Sequence, residues 1–131
     1  MSVIPEDIDH RTYSRVNLFR PLQLIHESGS VIKANLRDIS PGGAQAMCDR
    51  DNAHALGSDT RVDPSTGAQV FASFNLSVDD NFLDVEVDCR LIHLSLEEHE
   101  AVVIGLRFVS FRGHSLDHLR RFILSSLEPA Y

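Results

Sequence analysis

The feature of the sequence that constrains the fold most is a strict alternation of apolar and charged residues. Over residues 83–91 every second residue is apolar, and Asp, Glu, Asp and Arg fill the positions between them. Successive side chains of a β-strand point to opposite faces, so this segment predicts a strand with one buried face. At 131 residues, the chain is long enough for one domain with a hydrophobic core.

Segments with a similar period lie on both sides of this strand. Alternating apolar residues predict further strands over residues 16–24, 31–39, 44–48, 68–78 and 101–111. Turn-forming residues stand at 27–30 and at 41–43, between successive strands. Residues 49–67 are rich in Asp, Asn, Gly, Ser and Pro, which predicts a long polar loop, either a tolerated insertion at the surface or a segment that serves a partner.

The end of the chain changes period. Leu116, Leu119, Ile123 and Leu127 recur at helical spacing, and Ser115 stands where an N-cap is expected. A helix with one apolar stripe must bury that stripe against the sheet. The sequence therefore predicts a mainly β fold, a six-stranded antiparallel β-barrel with a C-terminal α-helix packed on it. We expect residues 1–15 to be a mobile N-terminal arm and residues 16–131 to be the single domain.

Charge and length exclude several classes of function. The formal net charge of −7 argues against sequence-blind binding to nucleic acid polymers or anionic membranes. No secretory signal and no apolar run of about 20 residues is present, so we expect a cytoplasmic protein with no membrane insertion. Of the 12 basic residues only Lys33 is a lysine. The planar guanidinium group of arginine can form paired hydrogen bonds with phosphates and guanine edges. Codon usage in a GC-rich genome would give the same excess of arginine over lysine.

Signals for metals, cofactors or catalysis are weak. Cys48 and Cys89 belong to no CxxC pair and are expected to be reduced thiols. His114 and His118 have the spacing of a metal pair but no third ligand follows, so an exposed helix face explains them. Walker, GxGxxG and GxSxG motifs are missing from the sequence. We expect no metal, no cofactor and no enzymatic activity; a small phosphodiester hydrolase built from acid and histidine pairs is a remote alternative.

Two short motifs carry the candidate chemistry. Arg11 and Arg15 form an RxxxR pair, which would bring two guanidinium groups to one side of a helical turn or within reach of one ligand. Residues 38–43, Asp-Ile-Ser-Pro-Gly-Gly, gather a carboxylate, a hydroxyl and flexible backbone amides where a strand ends. Taken singly, the first is also a solvated pair and the second a simple hairpin turn.

In this order, and across a strand-turn-strand unit, the two motifs resemble those of the PilZ domain family. Its RxxxR motif precedes the first strand of a six-stranded barrel and its [D/N]xSxxG motif lies between the second and third strands; both are present here unaltered. Residues 103–108 and the helix at 118–124 also resemble the family, so the likeness spans nearly the whole chain. The ligand that this resemblance implies is cyclic di-GMP.

The resemblance also implies a role for each site residue. Arg11 and Arg15 would bind guanine edges and phosphates, and Asp38 would accept from the guanine N1/N2 edge. The other implied ligand-binding residues are Ser40, which would bond a phosphate or base, Gly43, which would keep the backbone close to the ligand, and Arg90, which would stack on a guanine. A charged residue on an outward strand face needs no function, so Arg90 has both interpretations.

The expected function is that of a cyclic di-GMP receptor. Binding would order the N-terminal arm and change the surface offered to a protein partner that controls motility, adhesion or exopolysaccharide. The alternative is an adaptor of the same fold that works by ligand-independent protein contacts. Whether one ligand or a stacked pair is bound stays open, because His10 stands before Arg11, where many family members carry arginine or an apolar residue.

Overall fold

The alternating segments form six antiparallel strands in a computed structural model that describes residues 15–53, 67–97 and 101–127. The elements in chain order are β1 (Val16–His26), β2 (Val31–Ser40), β3 (Gly43–Asp49), α1 (Arg50–Ala53), β4 (Gln69–Val78), β5 (Asn81–Leu96), β6 (Ala101–Phe111) and α2 (Ser115–Leu127). The strands close into a barrel in the order β1-β2-β3-β6-β5-β4. The predicted barrel with a terminal helix is confirmed.

The apolar faces of the strands line the interior of the barrel. In β5, Val85, Val87, Cys89 and Leu91 are buried, whereas the acidic residues between them face outward, as the alternation predicts. Every strand contributes residues to one continuous core. Burying these apolar side chains is the main stabilising contribution to folding.

β-Bulges reverse the alternation within single strands, as in β2 and β5. In β2, Leu36 and Ile39 are both fully buried because the pairing with β3 skips Arg37. In β5, Leu91 and Leu94 are both buried because the pairing with β6 skips one residue between Leu91 and His93. A bulge adds one residue and turns those that follow to the other face. Side chains that strict alternation would place inside, such as Asp38, therefore point outward.

Helix α2 is attached to β5 beyond the point where β6 ends. The backbone N–H of Glu86 donates to Ser115 Oγ over 2.8 Å, and His118 Nδ1 donates to the carbonyl oxygen of Asp84 over 2.6 Å. These two contacts satisfy backbone groups of β5 that have no strand partner there. Leu119 is fully buried in the barrel core, as its place in the apolar stripe predicts.

The start of the predicted polar loop at residues 49–67 has regular structure. Asp49 ends β3, residues 50–53 form α1, and Asp49 Oδ1 accepts a hydrogen bond of 2.8 Å from the backbone N–H of Asn52. An aspartate in this position caps the first turn, and the buried Ala53 fixes that turn to the core. The sequence prediction was wrong for residues 50–53; the remainder of the predicted loop, residues 54–66, and most of the predicted arm lie outside the described ranges.

Within the ranges given above, no helix has the length and apolar character needed to cross a membrane. Cys48 and Cys89 are both free and buried. Burial, with a smaller contribution from Asp49, raises the pKa of the Cys48 thiol from 9.0 to about 11. Burial, with a smaller contribution from Asp88, raises the pKa of the Cys89 thiol from 9.0 to about 12.

Candidate functional site

Hydrogen bonds within the turn and to β6 fix the turn between β2 and β3. Ser40 pairs with Gly43 across a two-residue turn, its side chain is buried, and its Oγ donates to the Gly43 carbonyl oxygen over 3.3 Å. The carbonyl oxygen of Gly42 accepts a hydrogen bond of 2.9 Å from the N–H of Phe108 in β6. The turn therefore has one conformation relative to the barrel.

Gly43 is required by the close approach of β3 to β6. A Cβ atom at this position would lie 2.2 Å from the carbonyl oxygen of Leu106, which is well inside van der Waals contact. The resemblance implied that Gly43 keeps the backbone close to a ligand. The structure shows a second reason for a glycine at this position, because β3 and β6 pack closely against each other here.

Arg15 and Asp38 meet at the outer surface of the barrel. Asn17 pairs with Asp38 in the β1–β2 register, so the start of β1 lies beside the end of β2. Arg15 Nη2 lies 2.8 Å from Asp38 Oδ1, and the two side chains are 35% and 16% exposed. Asp38 can reach Arg15 because the bulge at Arg37 turns it outward. One residue of each motif is thus brought into direct contact.

A cavity of about 350 Å³ opens beside this ion pair. The predicted site residues that line it are Arg15, Ser40 and Gly43. Residues that the sequence had not singled out complete its walls, namely Gln45, Ile92, His93, Gly105 and Arg107 among others. The alternation of β6 was enough to place Arg107 on the outer face, whereas the outward position of His93 depends on a bulge that has no local sequence signal.

The cavity is suited to an anion. Its described lining residues include two arginines and a histidine and no carboxylate. The Arg15 side chain is already bonded to Asp38, whereas the side chain of Arg107 makes no hydrogen bond or ion pair with the residues that the structure describes. An exposed guanidinium group with no partner in this part of the chain can bind a phosphate or the edge of a guanine.

Arg90 lies near this cavity but does not line it. It pairs with Arg107 across β5 and β6, its Nη1 donates to the Gly67 carbonyl oxygen over 3.1 Å, and it borders a second cavity of about 450 Å³ that also contains Phe71 and Asp88. The structure thus brings Arg15, Asp38, Ser40 and Gly43 together and leaves Arg90 one strand away. Arg11 lies outside the described residues.

The family model of the PilZ domain matches residues 9–125 of the chain. A comparison with curated protein sequences gives no match. Among solved structures, the chain is similar to the inhibitor of motility MotI/DgrA of Bacillus subtilis, with 15% identity, a TM-score of 0.67 and coverage of 92% of this chain. It spans 54% of the MotI chain, about half of its length.

Two further structures have the same fold. The PilZ domain of YcgR from Escherichia coli, solved with c-di-GMP, is 18% identical with a TM-score of 0.60; the match covers 88% of this chain and 90% of that one. PlzA of Borreliella burgdorferi, in complex with c-di-GMP, is 11% identical with a TM-score of 0.57, covering 85% and 50%. At these identities the structures support the fold, and the family model covers most of the sequence. The chain therefore belongs to the PilZ domain family.

Proposed function

We propose that this chain is a receptor for cyclic di-GMP, which it binds between the RxxxR motif and the β2–β3 turn. The proposal rests on one observation above all. Arg15 from the first motif and Asp38 from the second lie 2.8 Å apart beside a cavity of about 350 Å³. Membership of the PilZ family and the c-di-GMP complexes of YcgR and PlzA support the same ligand.

The chemistry of the site matches the parts of this ligand. Cyclic di-GMP carries two phosphates and two guanine bases. The Arg15 guanidinium has five N–H donors, and its contact with Asp38 uses only the nitrogen Nη2, so it can also bind a phosphate or the O6/N7 edge of guanine. The carboxylate of Asp38 has free lone pairs for the N1 and N2 donors of a guanine.

Ser40 and Arg90 have less direct parts in the proposal. The Ser40 hydroxyl donates to a carbonyl inside the turn, so its first effect is to hold the turn in shape; contact with the ligand would use its remaining lone pairs. Arg90 would have to leave the Gly67 carbonyl to stack on a guanine. Such a movement would couple ligand binding to the start of β4.

The proposed output is a change of surface. Residues 1–15, with Arg11, would close over the bound dinucleotide, and the ordering entropy would be offset by charge-assisted hydrogen bonds. The altered surface would then be recognised by a protein partner governing motility, adhesion or exopolysaccharide. In this proposal the chain binds and releases its ligand unchanged and is not an enzyme.

Isothermal titration calorimetry with cyclic di-GMP tests the proposal directly. We expect saturable binding by the wild-type chain and a loss of about tenfold or more in affinity for Arg15→Ala and for Asp38→Ala, as for other hydrogen bonds to charged groups. Arg120→Ala is the matched control, because Arg120 is an exposed arginine on α2 and lies in a different cavity.

The other outcomes are equally informative. Absence of heat at protein concentrations that suffice for micromolar affinity would contradict the receptor function and leave the ligand-independent adaptor. Wild-type affinity in both Arg15→Ala and Asp38→Ala would contradict the proposed site. Linear product after incubation of the dinucleotide with the protein would support the hydrolase instead.

A further inference from the structure

The cavity beside Arg15 continues along the outer surface of the barrel towards β5. The strand registers place four residues in one row, each the partner of the next, in the order Asp38, Gln45, Gly105 and His93. Neighbouring strands lie about 4.8 Å apart, so this row spans about 14 Å of the sheet. Of these four residues only Asp38, at the β2 end of the row, belongs to a motif of the family.

Arg107 lies beside this row, in β6. It pairs with Gly43 on one side and with Arg90 on the other, so its outward side chain lies next to the β2–β3 turn. Its partner Gly43 has no side chain to cover it. Arg107 is exposed, and no described residue neutralises its charge.

His93 forms the far wall of the same cavity. The bulge next to it turns His93 outward, while Leu94 continues the buried face. Gly105 makes room for it, because a Cβ atom at position 105 would lie 2.9 Å from the Cβ of His93 and 3.5 Å from Ile92 Cγ1. The bulge at Arg37 turns Asp38 outward in the same way, so both ends of the row depend on a bulge that presents a polar side chain.

We propose that Arg107 and His93 form a second subsite, which binds the half of the dinucleotide distal to Asp38. This inference rests on the proposed function. Arg107 binds a phosphate through its guanidinium fork, because it is an exposed cation beside the turn with no partner among the described residues. The imidazole of His93 contacts the guanine that does not reach Asp38. Affinity for a cyclic dinucleotide then depends on both ends of the row, and the far end contains no residue of either motif.

Calorimetric titration of Arg107→Ala and His93→Ala with cyclic di-GMP tests this subsite. We expect Arg107→Ala to weaken binding roughly ten- to hundredfold, with partial recovery in Arg107→Lys, because lysine keeps the charge but not the fork. His93→Ala should weaken binding severalfold. Arg120→Ala is the control for the loss of one exposed arginine. Thermal unfolding should be unchanged in Arg107→Ala, since this side chain makes no bond to the described residues.

A second measurement separates direct contact from an indirect effect. In the wild-type protein, the imidazole nitrogen resonances of His93 should shift when cyclic di-GMP is added. Those of His114, which lies just before α2 and lines a different cavity, should not. If the wild-type chain binds the ligand but both Arg107→Ala and His93→Ala bind as tightly and the His93 resonances stay fixed, the subsite is disproved and the receptor function stands. If the wild-type chain does not bind, the receptor function itself fails.

Discussion

The Arg15 guanidinium and the Asp38 carboxylate form an ion pair of 2.8 Å that joins the two halves of the PilZ motif. The residues are 23 positions apart in sequence and meet because β1 and β2 are antiparallel neighbours. Each side chain keeps hydrogen-bonding capacity beyond this contact. The pair therefore places two complementary groups side by side. Arg15 can donate hydrogen bonds to a phosphate or to guanine O6/N7, and Asp38 can accept them from guanine N1/N2.

Exchanging the two charges separates the structural role of this pair from its binding role. In the double variant Arg15→Asp with Asp38→Arg an ion pair can form again, but donor and acceptor have changed places. We expect stability within about 1 kcal/mol of the wild-type protein, because an exposed pair contributes little, and we expect cyclic di-GMP binding to be lost. Urea unfolding and calorimetry measure the two effects; binding at wild-type affinity would show that the positions of the two charges do not matter.

Gly43 and Gly42 provide a matched pair of substitutions in the turn. Gly43→Ala would place a Cβ 2.2 Å from the Leu106 carbonyl oxygen, so β3 must move away from β6, and we expect a loss of about 1–3 kcal/mol in the free energy of unfolding. At Gly42 nothing lies within 4 Å of the corresponding Cβ, so Gly42→Ala should have little effect. Chemical denaturation of both variants checks this difference, and equal stability would refute the close approach of the two strands.

Ser115 is predicted to matter for stability and not for binding. Its Oγ accepts the hydrogen bond of the Glu86 N–H, and its side chain is buried, so Ser115→Ala leaves a backbone donor without its partner. We expect a cost of about 1–3 kcal/mol with unchanged affinity for cyclic di-GMP. Ser126→Ala is the control, since Ser126 is exposed and its hydroxyl donates to the carbonyl of its own helix at Phe122. If Ser126→Ala lowers the free energy of unfolding as much, the hydrogen bond between Ser115 and the Glu86 N–H is not the cause of the loss.

The two buried thiols predict a particular dependence of stability on pH. Their pKa values are raised from 9.0 to about 11 for Cys48 and about 12 for Cys89, so the folded state favours the protonated thiols. This contribution is fully present below pH 9.0 and is lost as the pH rises through about 11 and about 12. We expect both thiols to resist alkylation in the native protein near pH about 8 and to react when it is unfolded. Rapid modification of the native protein would contradict their burial.

Much of the fold follows from local patterns. The period-two alternation located all six strands, and β5 follows it from Val85 to Leu91 with every apolar residue buried. The change to helical spacing located α2, whose first residue is Ser115. These predictions succeed because burial of one face is a property of each segment alone, whichever strand lies beside it. The helix α1 was missed because four residues are too few to show a period.

The site was predictable only in part, and the reason is the register of the strands. The motifs identified Arg15, Asp38, Ser40 and Gly43, which the structure places around one turn. Alternation within β2 would have put Asp38 inside the barrel with Leu36, and the bulge at Arg37 reverses this. A bulge is a mismatch between two strands, so neither strand shows it in its own sequence.

The Arg15–Asp38 pair shows which features follow from the sequence and which depend on the tertiary structure. The sequence by itself determined that an RxxxR motif and a DxSxxG motif stand at the two ends of a strand-turn-strand unit in a barrel-forming chain. Only the tertiary structure decided that Asp38 points outward to reach Arg15, and that Arg107 and His93 line the same cavity as Arg15. The physical reason is that residues on different strands become neighbours through backbone pairing, which depends on the whole barrel closing.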